Sequence, residues 1–135
     1  MGAFVAKEEV AEAMKPGDHG TTYGGNPFCC AAVNAVFECF KELNLADNAA
    51  MLGAYLKNNL SEALKDKKTL KDIRGLGLMM GVELTVPAAE VIEKARKKGL
   101  IVISAGKNII RLVPPLVYTK GDADKLVSIL ADCIE

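Results

Sequence analysis

The 135-residue chain has no tryptophan and only three tyrosines and four phenylalanines. So few aromatic rings argue against a base-stacking surface. Charge of neither sign dominates: 17 lysines and arginines balance 17 aspartates and glutamates, so no field is built for nucleic acid or an acidic membrane. No apolar run approaches the ~20 residues that span a bilayer. The N-terminus also lacks the charged-then-apolar order of a signal peptide. These absences point to a cytoplasmic protein without nucleic-acid or membrane partners. The one histidine, His19, has no companion at metal-ligand spacing, and the four cysteines form no Cys-x-x-Cys pair. No metal site or disulfide framework is therefore expected.

What is present reads as a folded domain. Half the residues are hydrophobic and a quarter charged, unlike a disordered chain, and the length suits one domain of ordinary size. Residues 2–6 read as a short buried strand and 7–14 as a helix stopped near Pro16-Gly17. From 27 to 43, Phe28, Ala31, Ala32, Ala35, Val36, Cys39, Phe40 and Leu43 fall on one helical face. Cys39 is expected to act there as a small core hydrophobe. A second helix spans 47–64, with Asp47 as its cap.

The period then changes. Residues 73–84 carry three glycines at strand-like hydrophobic density. The glycine spacing is wrong for a dinucleotide-binding turn. Residues 88–98 return to helical spacing, with Gly99 as a C-terminal stop. Residues 100–104 and 109–113 read as strands joined by the hairpin loop Ala105-Gly106-Lys107-Asn108. Thr119 and Asp122 have the spacing of a capping box before a last helix striped by Ala123, Leu126, Val127, Leu130 and Ile134. The expected class is α/β, more closely α+β: an antiparallel or mixed sheet of about three strands with helices on one face, preceded by a long helix.

The loop Asp18 to Pro27, DHGTTYGGNP, has the makings of an anion site. Thr21 and Thr22 supply short hydroxyl donors. Asn26-Pro27 opens a helix whose first N–H groups and positive dipole end favour negative charge. The same residues would also serve as a glycine-rich connector into an ordinary capped helix. His19, in this glycine-flanked loop, reads as a turn or surface residue and is given no role. Arg111 stands inside the apolar run Ile109-Ile110-Arg111-Leu112-Val113. It must either project from the solvated side of a sheet or meet an anion, because burying it unpaired is costly. Alternation alone favours the solvated side.

HGTTYGGNP, then IRGLGLMMGVEL, then IIRLVPPL occur in the order found in the class III aminotransferases that use pyridoxal 5′-phosphate (PLP). The chain resembles the last third of such an enzyme, with the strongest likeness to the branch that uses N-acetylornithine. The resemblance implies the C-terminal small domain of a fold type I PLP enzyme over 46–135. It makes 27–45 a connecting helix and 1–26 a remnant of the large PLP-binding domain with its active-site loop. In the family, the lysine that holds the cofactor lies upstream of the segment matched by GAFVAKEEV. No catalytic residue is therefore expected in this chain, and none of Lys7, Lys15 or Lys107 replaces that lysine.

Carried over residue by residue, the resemblance implies that Thr22 reaches the PLP phosphate of a neighbouring subunit and that Thr21 lies near the substrate. It places Arg111 near the substrate carboxylate or an acidic partner, a task suited to a planar, permanently charged fork. A site shared across subunits implies a homodimer. The implied reaction moves an amino group from N-acetylornithine to 2-oxoglutarate in arginine biosynthesis, with ornithine or 4-aminobutyrate as alternative donors. Alone, the chain is expected to bind no PLP stably and to be inactive. It is expected to be either a fragment of such an enzyme or a stand-alone, non-catalytic C-terminal domain that acts as a subunit.

Overall fold

The computed structural model describes residues 2–135, which form five helices and four strands. They divide into two compact units, Met1–Glu42 and Leu43–Glu135.

The first unit holds α1 (Glu8–Ala11) and α2 (Pro27–Glu42), neither with a buried residue. The strand expected at 2–6 does not form: these residues are exposed and unpaired among the described residues. A strand needs a ladder partner, and the hydrophobic pattern cannot supply one. The helix expected over 7–14 shrinks to four residues. The long helix begins at Pro27 as expected, because Asn26 caps it, its Oδ1 accepting from the Cys29 N–H at 2.9 Å. Its apolar stripe is open. Phe28, Val36 and Phe40 are exposed, and so is Cys39, contrary to its expected place in a core.

The second unit carries the core. Helix α3 (Leu45–Leu64) lays Leu52, Leu56, Leu60 and Leu64 on one stripe, each at most 1% exposed. It starts two residues before the expected Asp47 cap. Asn44 turns the chain in the left-handed region (φ 48°), which asparagine tolerates, and its Nδ2 donates to Asp47 Oδ2 at 2.8 Å. Asp47 thus sits in the first turn, at the positive end of the dipole.

The run 73–84, read as one strand, is a hairpin of β1 (Leu70–Leu76) and β2 (Met79–Leu84) joined by Gly77-Leu78. Gly77 has φ +54°, and positive φ at the first loop position suits a two-residue hairpin turn. The sheet therefore has four strands rather than about three. After β2 come α4 (Ala89–Lys97), β3 (Ile103–Ser104), β4 (Ile109–Leu112) and α5 (Lys120–Ala131). The strand order is β1-β2-β4-β3, with every neighbouring pair antiparallel. Helix α5 begins at the expected capping box. Thr119 Oγ1 accepts from the Asp122 N–H, and the Asp122 carboxylate accepts from the Thr119 N–H.

The sheet has one covered and one open face. Ile73, Met80, Val82, Leu84, Ile110 and Leu112 are buried beneath the helices, among which α3 and α5 pack on each other and α3 packs on β1. The alternate residues, Arg74, Gly81, Glu83 and Arg111, belong to the other face.

The contact between α3 and the hairpin turn depends on a missing side chain. A Cβ on Gly53 would lie 2.3 Å from the Gly77 carbonyl oxygen and 2.7 Å from its Cα. Backbone cannot yield as a side-chain tip can. Gly53→Ala should therefore destabilise by about 1–3 kcal/mol, although alanine is the better helix former by ~1 kcal/mol. The urea midpoint reads the sign, and a rise on substitution would show that the approach is looser than described.

Candidate functional site

Thr21 and Thr22 lie together in the exposed loop before α2. Neither hydroxyl has a hydrogen-bond partner among the described residues. The loop closes tightly around a glycine, since a Cβ on Gly24 would meet the Thr21 methyl at 2.3 Å. Beside it, Asn26 Nδ2 donates to the Tyr23 carbonyl at 3.3 Å and to Cys29 Sγ at 3.4 Å. Because Asn26 already occupies the Cys29 N–H, the helix start has one fewer donor for an anion than the sequence suggested. Among the described residues, the free side-chain donors of this loop include the two threonine hydroxyls. They fit a phosphate, which accepts readily from short hydroxyl groups.

Arg111 is carried by the other unit, on β4. It faces Gly81 on β2 and Ile103 on β3, and it is exposed. Its neighbours Ile110 and Leu112 are buried, so alternation sends the guanidinium to the open face of the sheet. Arg111 is the one arginine without a carboxylate partner among the described residues. Arg96 holds Glu93 at 2.8 Å. Arg74 holds Asp72 at 2.7 Å and also Glu83, which takes Lys71 at 2.6 Å.

This charge cluster on β1 and β2 was not read from the sequence. Its signal was the alternation of Asp72, Arg74 and Glu83, hidden until the hairpin turn placed the two strands side by side. Hydrogen bonds from Lys71 and then Arg74 hold the Glu83 carboxyl below the usual carboxylate range. Its contribution to folding is thus present above the ordinary glutamate pKa and is lost as pH falls through the lowered one. The cations of β1 are satisfied internally, which leaves Arg111 as the open positive charge of that face.

A second feature missed in the sequence is Asn48 of α3. Its Nδ2 donates to the Leu116 carbonyl at 2.7 Å and the Tyr118 carbonyl at 3.4 Å. It thereby ties down the segment after Pro114-Pro115, where the prolines have no N–H of their own to give. Among the described residues no cluster of three His, Cys, Asp or Glu side chains could hold a metal ion. None of their helices is long and apolar enough to cross a membrane.

Comparison with known proteins decides the family. The family model described as Aminotransferase class-III matches residues 1–134. The chain belongs to the class III aminotransferases. It is 41% identical over 134 residues to the acetylornithine aminotransferase of Methanothermobacter thermautotrophicus and 43% identical over 134 residues to that of Bacillus subtilis. Each match covers 99% of this chain and 34% of the relative, so the chain spans about a third of the length of these relatives. The solved structure of Plasmodium falciparum ornithine delta-aminotransferase matches with a TM-score of 0.88 at 36% identity, covering 96% of this chain and 34% of that one. The acetylornithine aminotransferase of Elizabethkingia anophelis matches with a TM-score of 0.85 at 27% identity, covering 96% and 35%. The four-stranded antiparallel sheet with its helices is thus a domain of a class III aminotransferase.

Proposed function

We propose that this chain is the C-terminal part of a PLP-dependent aminotransferase that takes the amino group of N-acetylornithine and passes it to 2-oxoglutarate, a step of arginine biosynthesis. The reading rests on the identity to acetylornithine aminotransferases across 99% of the chain. It is supported by an arginine left without a carboxylate on the open sheet face. The active form is a cytoplasmic homodimer. Thr22 donates its hydroxyl to the cofactor phosphate of the neighbouring subunit, and Thr21 lies close to the substrate there. Arg111 grips the substrate carboxylate through its planar fork. When bound, PLP supplies the electron sink that makes the proton on the amino-bearing carbon removable. This chain's residues bind and orient, and the proton is moved by a lysine from the preceding part of the enzyme. Alone, residues 1–135 are inactive.

The two anion contacts separate experimentally in the full-length enzyme. Thr22→Ala removes a hydrogen bond to a charged group, worth about 1.5–3 kcal/mol. PLP binding should then weaken roughly tenfold to a hundredfold. Arg111→Lys keeps the charge but loses the fork, so the KM for the amino donor should rise while PLP content holds. Cofactor lost from Arg111→Lys but retained by Thr22→Ala would invert the assignment and refute it.

A further inference from the structure

Gly81 occupies the interior of β2, where a glycine weakens a strand unless something needs its side chain to be missing. Its φ is not positive, so the backbone does not demand glycine. Packing opposes a side chain there less than it does at Gly53. A Cβ there would meet only Cγ2 of Ile109 at 3.1 Å and the Arg74 carbonyl oxygen at 3.9 Å. The first is a side-chain atom that can shift by a few tenths of an ångström, unlike the backbone that closes on Gly53. What distinguishes the position is its row. Arg74 of β1, Gly81 of β2, Arg111 of β4 and Ile103 of β3 stand opposite one another in register. Their side chains belong to the open face, since Met80 and Val82 on either side of Gly81 are buried. Arg74 is engaged by Asp72 and Glu83, and the bare position at Gly81 stands in register opposite Arg111, which has no carboxylate partner among the described residues.

A carboxylate gripped by both arms of an arginine must approach within ~2.7–2.9 Å and lie in the guanidinium plane. Directly opposed residues in a sheet have Cβ atoms about 4.5–5.5 Å apart, so a side chain on the β2 side of Arg111 would crowd an approach from that side, the β3 side being already taken by Ile103. We propose that Gly81 is a specificity-determining position of the aminotransferase: its missing side chain makes the space in which the carboxylate end of the amino-acid substrate lies against Arg111. The inference rests on the reading of Arg111 as the carboxylate-binding residue. It adds that the strand beside it is kept bare for the ligand and not for the fold.

The test uses the full-length enzyme with Gly81→Ala, Gly81→Val and Arg111→Lys, measuring KM for N-acetylornithine, PLP content and Tm. The KM should rise in Gly81→Ala and rise further, roughly tenfold or more, in Gly81→Val. PLP content should hold and Tm should stay level or climb, because alanine and valine are better strand residues than glycine. If Gly81→Val fails to fold, Gly81→Ala carries the comparison. An unchanged KM, or a KM rise that follows a loss of Tm or cofactor, overturns the proposal. So does restoration of KM in Gly81→Ala/Ile109→Ala, which would trace the effect to the displaced isoleucine. If Arg111→Lys also leaves KM unchanged, the carboxylate reading itself falls and takes this inference with it. If Arg111→Lys raises KM while the Gly81 variants do not, only the role of Gly81 is refuted.

Discussion

Purified as residues 1–135, the protein will give no transamination above background with N-acetylornithine and 2-oxoglutarate, and no absorbance band from lysine-bound cofactor. The chain spans about a third of its acetylornithine aminotransferase relatives, and on the proposed reading it is their C-terminal part. The lysine that anchors the cofactor in such enzymes is expected upstream of that stretch. On the proposed reading, what remains for PLP is the hydroxyl of Thr22, beside Thr21, in a loop whose residues are exposed. One hydrogen bond to a charged phosphate, at about 1.5–3 kcal/mol, corresponds to a dissociation constant in the millimolar range or weaker. A cofactor held so loosely exchanges freely. Absorbance after dialysis against PLP, with a coupled glutamate assay, checks both parts. Turnover abolished by substituting a lysine within residues 1–135 would overturn the reading.

Local signals in the sequence translated well into structure. Asn26-Pro27 marked the start of α2, and Thr119 with Asp122 marked the start of α5, because a cap is settled by three or four consecutive residues. The alternation Ile110-Arg111-Leu112 favoured the solvated side for Arg111, and the residue is exposed between two buried neighbours. Signals that depend on what lies opposite did not translate. Residues 2–6 have strand composition but no ladder partner among the described residues. The turn at Gly77-Leu78 was hidden because Leu78, a turn residue, is itself buried and so carries no polar mark. The Gly81–Arg111 pairing follows from a register across two strands that are far apart in sequence. Position along the chain says nothing of it.

The sharpest case is a pair of helices that look alike on paper. Both α2 and α3 carry an apolar stripe at helical spacing, yet α2 buries none of it whereas α3 buries Leu52, Leu56, Leu60 and Leu64. Truncating each stripe should therefore have opposite consequences in residues 1–135. Leu56 is fully buried, in the core that α3 shares with α5 and the sheet. Leu56→Ala removes buried methyl groups and leaves a cavity in close-packed surroundings, at a cost of about 2–5 kcal/mol. For a domain of this size each kcal/mol lowers Tm by roughly 4–8 °C, so the melting point should fall by about 10 °C or more. Phe28 on the α2 stripe is 84% exposed, and Phe28→Ala should change stability by no more than ~0.5 kcal/mol. Equal losses in the two variants, read by thermal melts followed by circular dichroism, would mean that the α2 stripe is covered in the isolated chain. A large loss confined to Leu56→Ala would locate the cooperative core in Leu43–Glu135. The apolar stripe of α2 would then be a surface that contributes no folding energy within these residues.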